Sequence, residues 1–266
     1  MTVERPRLRF QRGAALSGAA FVALAQGSGP RYTPDNLACV VFQEQVRSDI
    51  RNQAGGILRQ ESAGRNGILT LRGLASPAGM ILEAWYDSLA VWRDSPEGRL
   101  TPDTDGLLGG RWRGRLSPEG RFTADAVPFV PDEVAEIVEL QGALDDFFPR
   151  LPAMQLRPGE TSAGDSTRSI RRLDDGNHGV QRYAWVIRPV TDTGSLQQDT
   201  LAIPFRRKVE EAGSMEWDPK RGPLKWERRL TLTARVAAKG PIRAGILSVV
   251  NQRVQVDRLE RESGCR

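Results

Sequence analysis

Residues 225–256 read KWERRLTLTARVAAKGPIRAGILSVVNQRVQV, and their periodicity decides the fold class. Trp226, Leu230, Leu232, Ala234 and Val236 alternate with Lys225, Glu227, Arg229, Thr231, Thr233 and Arg235. A period of two places the first set on one side of a strand and the second on the other. The turn Lys239-Gly240-Pro241 follows, and then Ile242, Ala244, Ile246, Val250, Val254 and Val256 line one face of a second strand. One buried and one wet face is the signature of an antiparallel hairpin.

The same alternation runs through most of the chain. In 36–50 the apolar Val40, Phe42, Val46 and Ile50 alternate with Gln43, Gln45, Arg47 and Asp49. The Asn66-Gly67 pair predicts a two-residue hairpin turn before a strand over 68–75. Residues 79–93 are apolar on both faces and read as a central strand or a bent hairpin. Leu201, Ile203, Phe205 and Val209 share a face, with Pro204 marking an edge or bulge. Over 131–148 the spacing of Val134, Ile137, Val138, Leu144, Phe147 and Phe148 changes to that of an amphipathic helix, with Asp132 and Glu133 at its start and Pro149 at its end. The expected fold is mainly β: an antiparallel curved sheet or half-open barrel with one amphipathic helix over 131–148. It forms a single β-rich domain over 26–266, with β halves 35–130 and 165–258 joined by that helix and a linker, 149–164. The turns Ser117-Pro118-Glu119-Gly120 and Asp218-Pro219-Lys220-Arg221-Gly222 echo one another. Two related halves would explain this, and so would convergent turn chemistry.

The N-terminus carries a different message. Arg5, Arg7, Arg9 and Arg12 precede an apolar run over 13–24 that closes on Ala23-Leu24-Ala25. That is the layout of a signal peptide over 1–25, cut between Ala25 and Gln26. The run is too short to span a membrane. Of 38 basic and 33 acidic residues, those four arginines and Glu4 belong to the leader, so the remainder nets about +2. Near-balanced charge argues against nucleic acid as a partner. Export would permit a disulfide between Cys39 and Cys265, the two cysteines. The other reading is a small buried Cys39 and a frayed tail holding Cys265.

The helix ending Phe147-Phe148-Pro149-Arg150-Leu151-Pro152, the Leu156-Arg157-Pro158-Gly159-Glu160 linker and the closing β half together resemble an uncharacterised family of exported bacterial proteins. The resemblance covers about 80–256. It implies an exported β-rich chain and brings no established activity or catalytic residues. A tryptophan shortly after the Pro-Gly pair, frequent in that family, is missing from 160–167. The general shape is similar to open β-barrels that bind lipids or lipoproteins.

Several local patterns invite a site. Asp103, Asp105 and Gly106 match part of a calcium loop, but Trp112 stands where the closing Glu belongs. Gly109-Gly110 lacks the Lys-Ser/Thr of a phosphate loop. No metal site and no cofactor are expected. Arg111, Arg113 and Arg115 fall on one strand face, either a row for an anionic partner or a wet face paired to carboxylates. Trp85, Trp112, Trp185 and Trp226 either line a pocket for an apolar ligand or fill the core. His178, the one histidine, sits in a turn-like Asp174-Asp175-Gly176-Asn177-His178-Gly179. The expected role is non-catalytic: a periplasmic or secreted protein binding an apolar small molecule or an envelope protein on a curved β surface. A structural or interaction module without a ligand site is the alternative, and a hydrolase with paired carboxylates the third.

Overall fold

A computed structural model describes residues 29–260 and Cys265, apart from 78, 164–166, 199, 200 and 241 and the side chains of 178, 196–198 and 201. The cleavage site at Ala25 and Gln26 lies outside the described residues. The strands are β1 (Val40–Ala54), β2 (Ile57–Ser76), β3 (Gly79–Ser95), β4 (Gly98–Leu100), β5 (Trp112–Leu116), β6 (Phe122–Ala126), β7 (Thr161–Ala163), β8 (Arg168–Arg172), β9 (Gln181–Gln198), β10 (Leu201–Asp218), β11 (Gly222–Val236) and β12 (Ile246–Leu259). They form one antiparallel sheet ordered β6-β5-β3-β2-β1-β12-β11-β10-β9-β8-β7, with the short β4 beside β3. The sheet is curved around a core but stays open rather than closing into a barrel. No helix among the described residues is long and apolar enough to cross a membrane.

The opening hairpin is β11 and β12, paired from Lys225↔Asp257 to Val236↔Ile246. β12 also pairs β1 from Val41↔Leu259 to Ala54↔Ile246, so the first and last strands meet at the centre. Consequently β6 and β7, consecutive in sequence, lie at opposite edges. Residues 127–160 must travel between them, and they cross the inward face. Val134, Leu140, Leu144, Phe147 and Phe148 from this segment are buried in the same core as Phe42, Trp112 and Trp226. Phe147 stands edge-on to both Phe42 and Trp226, with ring centroids 6.1 and 5.0 Å away.

The crossing segment is not the helix that its spacing predicts. Only α1 (Asp132–Ala135) is α-helical. After it, Ala143, Asp145 and Phe147 donate N–H bonds three residues back, to Leu140, Gly142 and Leu144. Trp112 Nε1 donates to the carbonyls of both Leu140 and Gln141 at 3.2 Å. Those carbonyls would have capped the fourth residue onward in a helix. A chain of tight turns buries Val134, Leu144, Phe147 and Phe148 just as well, and Gly142 lowers the cost of leaving the helix.

The Asn66-Gly67 turn is likewise corrected. Both residues lie inside β2, and the chain reverses at Gly55-Gly56, which have φ of 55° and 84°. Gly67 is there for space: a Cβ would come within 2.8 Å of the Tyr86 ring on β3. Pro204 sits just past the last β10–β11 pair, Phe205↔Val236, where β10 has outrun its neighbour. Residues 79–93 form one strand, β3, between β2 and β5.

Cys39 and Cys265 are bridged, with Cα atoms 6.0 Å apart and 226 residues of separation. The bridge flanks the β1–β12 ladder at the Val41↔Leu259 end. On the chain-entropy model, closing a loop that long stabilises by about 5 kcal/mol. Reduction, or Cys265→Ser, is expected to lower the urea-unfolding free energy by about 3–5 kcal/mol at unchanged native circular dichroism. Equal midpoints for the oxidised and reduced chains would contradict this role.

Candidate functional site

The inward face of β1 is interrupted by a charge. Between Phe42 and Val46 stands Glu44, 1% exposed, facing Arg65 of β2, 9% exposed. Arg65 Nε and Nη2 donate to the two Glu44 oxygens at 2.9 and 2.8 Å, and the Tyr86 hydroxyl donates to the same carboxylate at 2.6 Å. Burial alone would raise the Glu44 pKa, but the Arg65 charge and the hydrogen bonds from Arg65 and Tyr86 hold it below the usual carboxylate range. Burial pushes Tyr86 far upward, so its phenol stays a donor. The sequence did carry a signal: Glu44 occupies an apolar position of the β1 alternation. Its partner Arg65 lies 21 residues away, and nothing local announces the pair.

The predicted arginine row is where the alternation puts it. Arg111, Arg113 and Arg115 are exposed, while Trp112, Gly114 and Leu116 are buried. Arg111 and Arg113 approach Glu83 at 3.3 and 3.9 Å, and Arg115 approaches Asp125 at 3.9 Å. Arg111 also lies over the Trp85 ring, 4.6 Å from its centroid. Each arginine therefore has a carboxylate neighbour on the outer face.

The four candidate tryptophans do not all come together, although Trp185 and Trp226 line one cleft. Trp85 lies on the outer face, its indole N–H donating to Asp87 at 3.0 Å. Trp112, Trp185 and Trp226 are inward and 1%, 5% and 2% exposed, packed in the core. Asp103 is tied into its own loop by the Asp105 N–H at 2.9 Å. Among the described residues, no three His, Cys, Asp or Glu side chains are grouped to hold a metal. The His178 backbone forms a 3-10 turn over Asn177–Gly179, and its side chain lies outside the described residues.

A small cleft opens where the crossing segment ends, with a cavity volume of about 20 Å³, room for about one water-sized group. Trp185, Trp226 and Phe147 line its apolar side, and Arg150, Arg168 and Arg228 its cationic side. Two carboxylates also line it. Asp146 lies 4.0 Å from Arg228 Nη1, and Glu211 accepts the Trp185 indole N–H at 2.9 Å. Arg228 donates to the Asp146 carbonyl at 3.0 Å. Arg150 is held below the ordinary arginine range by burial and by the charges of Arg168 and Arg121.

Beyond the cleft the inward face carries one apolar row outside the core, with the Arg207–Asp192 ion pair beside it. Val190, Val209, Leu232, Val250 and Ile50 stand opposite one another across β9, β10, β11, β12 and β1. None belongs to the buried core cluster, and Val190 is 41% exposed. Along β11 the same side presents Leu230, Leu232, Ala234 and Val236, all half-buried. No protein-family model matches the chain, and no curated protein matches it.

The buried ion pair sets a pH dependence. Because the folded Glu44 pKa is lowered, its contribution is present above the unfolded value near 4.3 and is lost as pH falls below it. Arg65→Met, which strands the carboxylate, is expected to cost about 3–5 kcal/mol at pH 7. Adding Glu44→Gln should recover part of that loss and flatten stability between pH 5 and 3 relative to wild type, approximately as linkage requires. Urea unfolding at several pH values measures both, and a fully additive double variant would refute the coupling.

Proposed function

We propose that this chain is an exported, non-catalytic binding protein of the cell envelope that holds an apolar ligand on the open end of its curved sheet. The observation that supports the reading most is the apolar row Val190, Val209, Leu232, Val250 and Ile50, in register across five strands and outside the core. Exposed apolar surface in contiguous patches is uncommon on chains that bind nothing. The basic, apolar, small-residue leader and the Cys39–Cys265 bridge fit an oxidising compartment outside the cytoplasm. In this reading the apolar part of the ligand lies away from Trp112 and Trp226, which the crossing segment covers.

A second reading, an interaction module of the envelope without a small-molecule site, draws on Phe129 and Ile57, which are 81% and 72% exposed. Phe129 lies in the loop after β6 and Ile57 at the start of β2, both suited to contact with another protein.

A fluorescent fatty acyl probe titrated into the purified chain separates the two. Enhanced probe emission is expected, with Leu232→Glu and Val250→Glu each weakening binding about tenfold, or about 1.4 kcal/mol. Thermal unfolding of both variants should stay close to wild type, since neither side chain is in the core. Undetectable binding, or equal binding by wild type and both variants, would favour the interaction module.

A further inference from the structure

We propose that the ligand is a single-chain amphiphile with a carboxylate head, the head entering the Arg150–Arg168–Arg228 cleft and the tail lying along β11. This rests on the reading above and names the chemistry of the same site.

The cleft and the apolar face are not separate features. Arg228 lines the cleft, and Leu230 is the next inward residue on the same strand. From Arg228 the inward face of β11 runs through Leu230, Leu232, Ala234 and Val236, a track of roughly 27 Å at strand rise. A ligand held at Arg228 and extended along β11 therefore meets charge first and then only apolar inward side chains of β11 itself. Val209 and Val250, opposite Leu232 on either side, wall the middle of the track. Glu211 and Gln252 flank Leu230 near the cleft, and Arg207 and Ser248 flank Ala234 farther out, so Leu232 between Val209 and Val250 is the apolar centre of the track.

The cleft favours an anion. Three guanidiniums line it against the carboxylates of Asp146 and Glu211. Arg228 is only 16% exposed, and its Nε is buried without a hydrogen-bond partner. A buried donor left unmet costs free energy that an entering acceptor recovers. The planar fork of Arg suits a carboxylate. Crowding of Arg150 by Arg168 and Arg121 makes an added negative charge favourable there. A neutral head carries no charge to complement the guanidiniums, and a cationic head would add repulsion. The same charge complementarity distinguishes this track from an apolar patch that a second copy of the chain would cover.

Palmitic acid, 1-hexadecanol and hexadecyltrimethylammonium, each competed against the acyl probe on the full mature chain, test the proposal. The acid is expected to displace the probe at least tenfold more effectively than the alcohol, and the ammonium compound least. Arg228→Gln and Arg150→Gln should each lose about tenfold for the acid and leave the alcohol unchanged. Arg150 is the safeguard if Arg228→Gln perturbs folding through its contact with Asp146. Acid and alcohol competing equally, with neither arginine variant selective, would overturn the carboxylate head while leaving an apolar site intact. No competition by any compound, with no probe binding, would overturn the binding reading itself. Dimerisation by light scattering that Leu232→Glu abolishes would assign the face to a second copy and overturn the proposal.

Discussion

A sheet whose first and last strands are neighbours must carry its chain from one edge to the other. Here β1 and β12 pair at the centre, so residues 127–160 cross the inward face to reach β7. That single topological requirement supplies the second layer of the core. The segment brings Val134, Leu144, Phe147 and Phe148 against Phe42 and Trp226, and no regular helix is needed for them to be buried. It also sets where the inward face is free. The row Val190, Val209, Leu232, Val250 and Ile50 lies outside the core to which this segment contributes.

Charge is placed at the boundary between the covered and the open region. Glu44 and Arg65 satisfy each other within the core, an arrangement that gives little net stability compared with apolar packing but is costly to break. Arg228 lies near enough to lower the Glu44 pKa further and reaches the Asp146 carbonyl at the end of the crossing segment. Arg228 thus contacts the crossing segment and adds its positive field to the Glu44 site. The Nε of Arg228 is buried and unpaired.

Much of this was legible in the alternation itself. The pattern over 225–256 predicted the β11–β12 hairpin, and RWRGR placed Trp112 inward and three arginines outward. Other parts were hidden for physical reasons. Val134, Leu144 and Phe147 kept a helical spacing because turns of three to four residues also return side chains to one face. Asn66-Gly67 looked like a turn because local chemistry cannot reveal that Gly67 makes room for the Tyr86 ring across the sheet. Trp85 and Trp185 looked equivalent, yet one stacks under Arg111 outside and the other faces the cleft. The cleft draws Arg150, Arg168 and Arg228 from three places in the chain, so no motif marks it.

The most direct measurement is a crystal structure of residues 26–266 grown with palmitic acid. The account predicts density for a carboxylate beside Arg228 and Arg150, with the tail along Leu230, Leu232 and Val236 and the crossing segment still packed on Trp226. A tail lying beneath a displaced crossing segment, or density elsewhere on the chain, would contradict it.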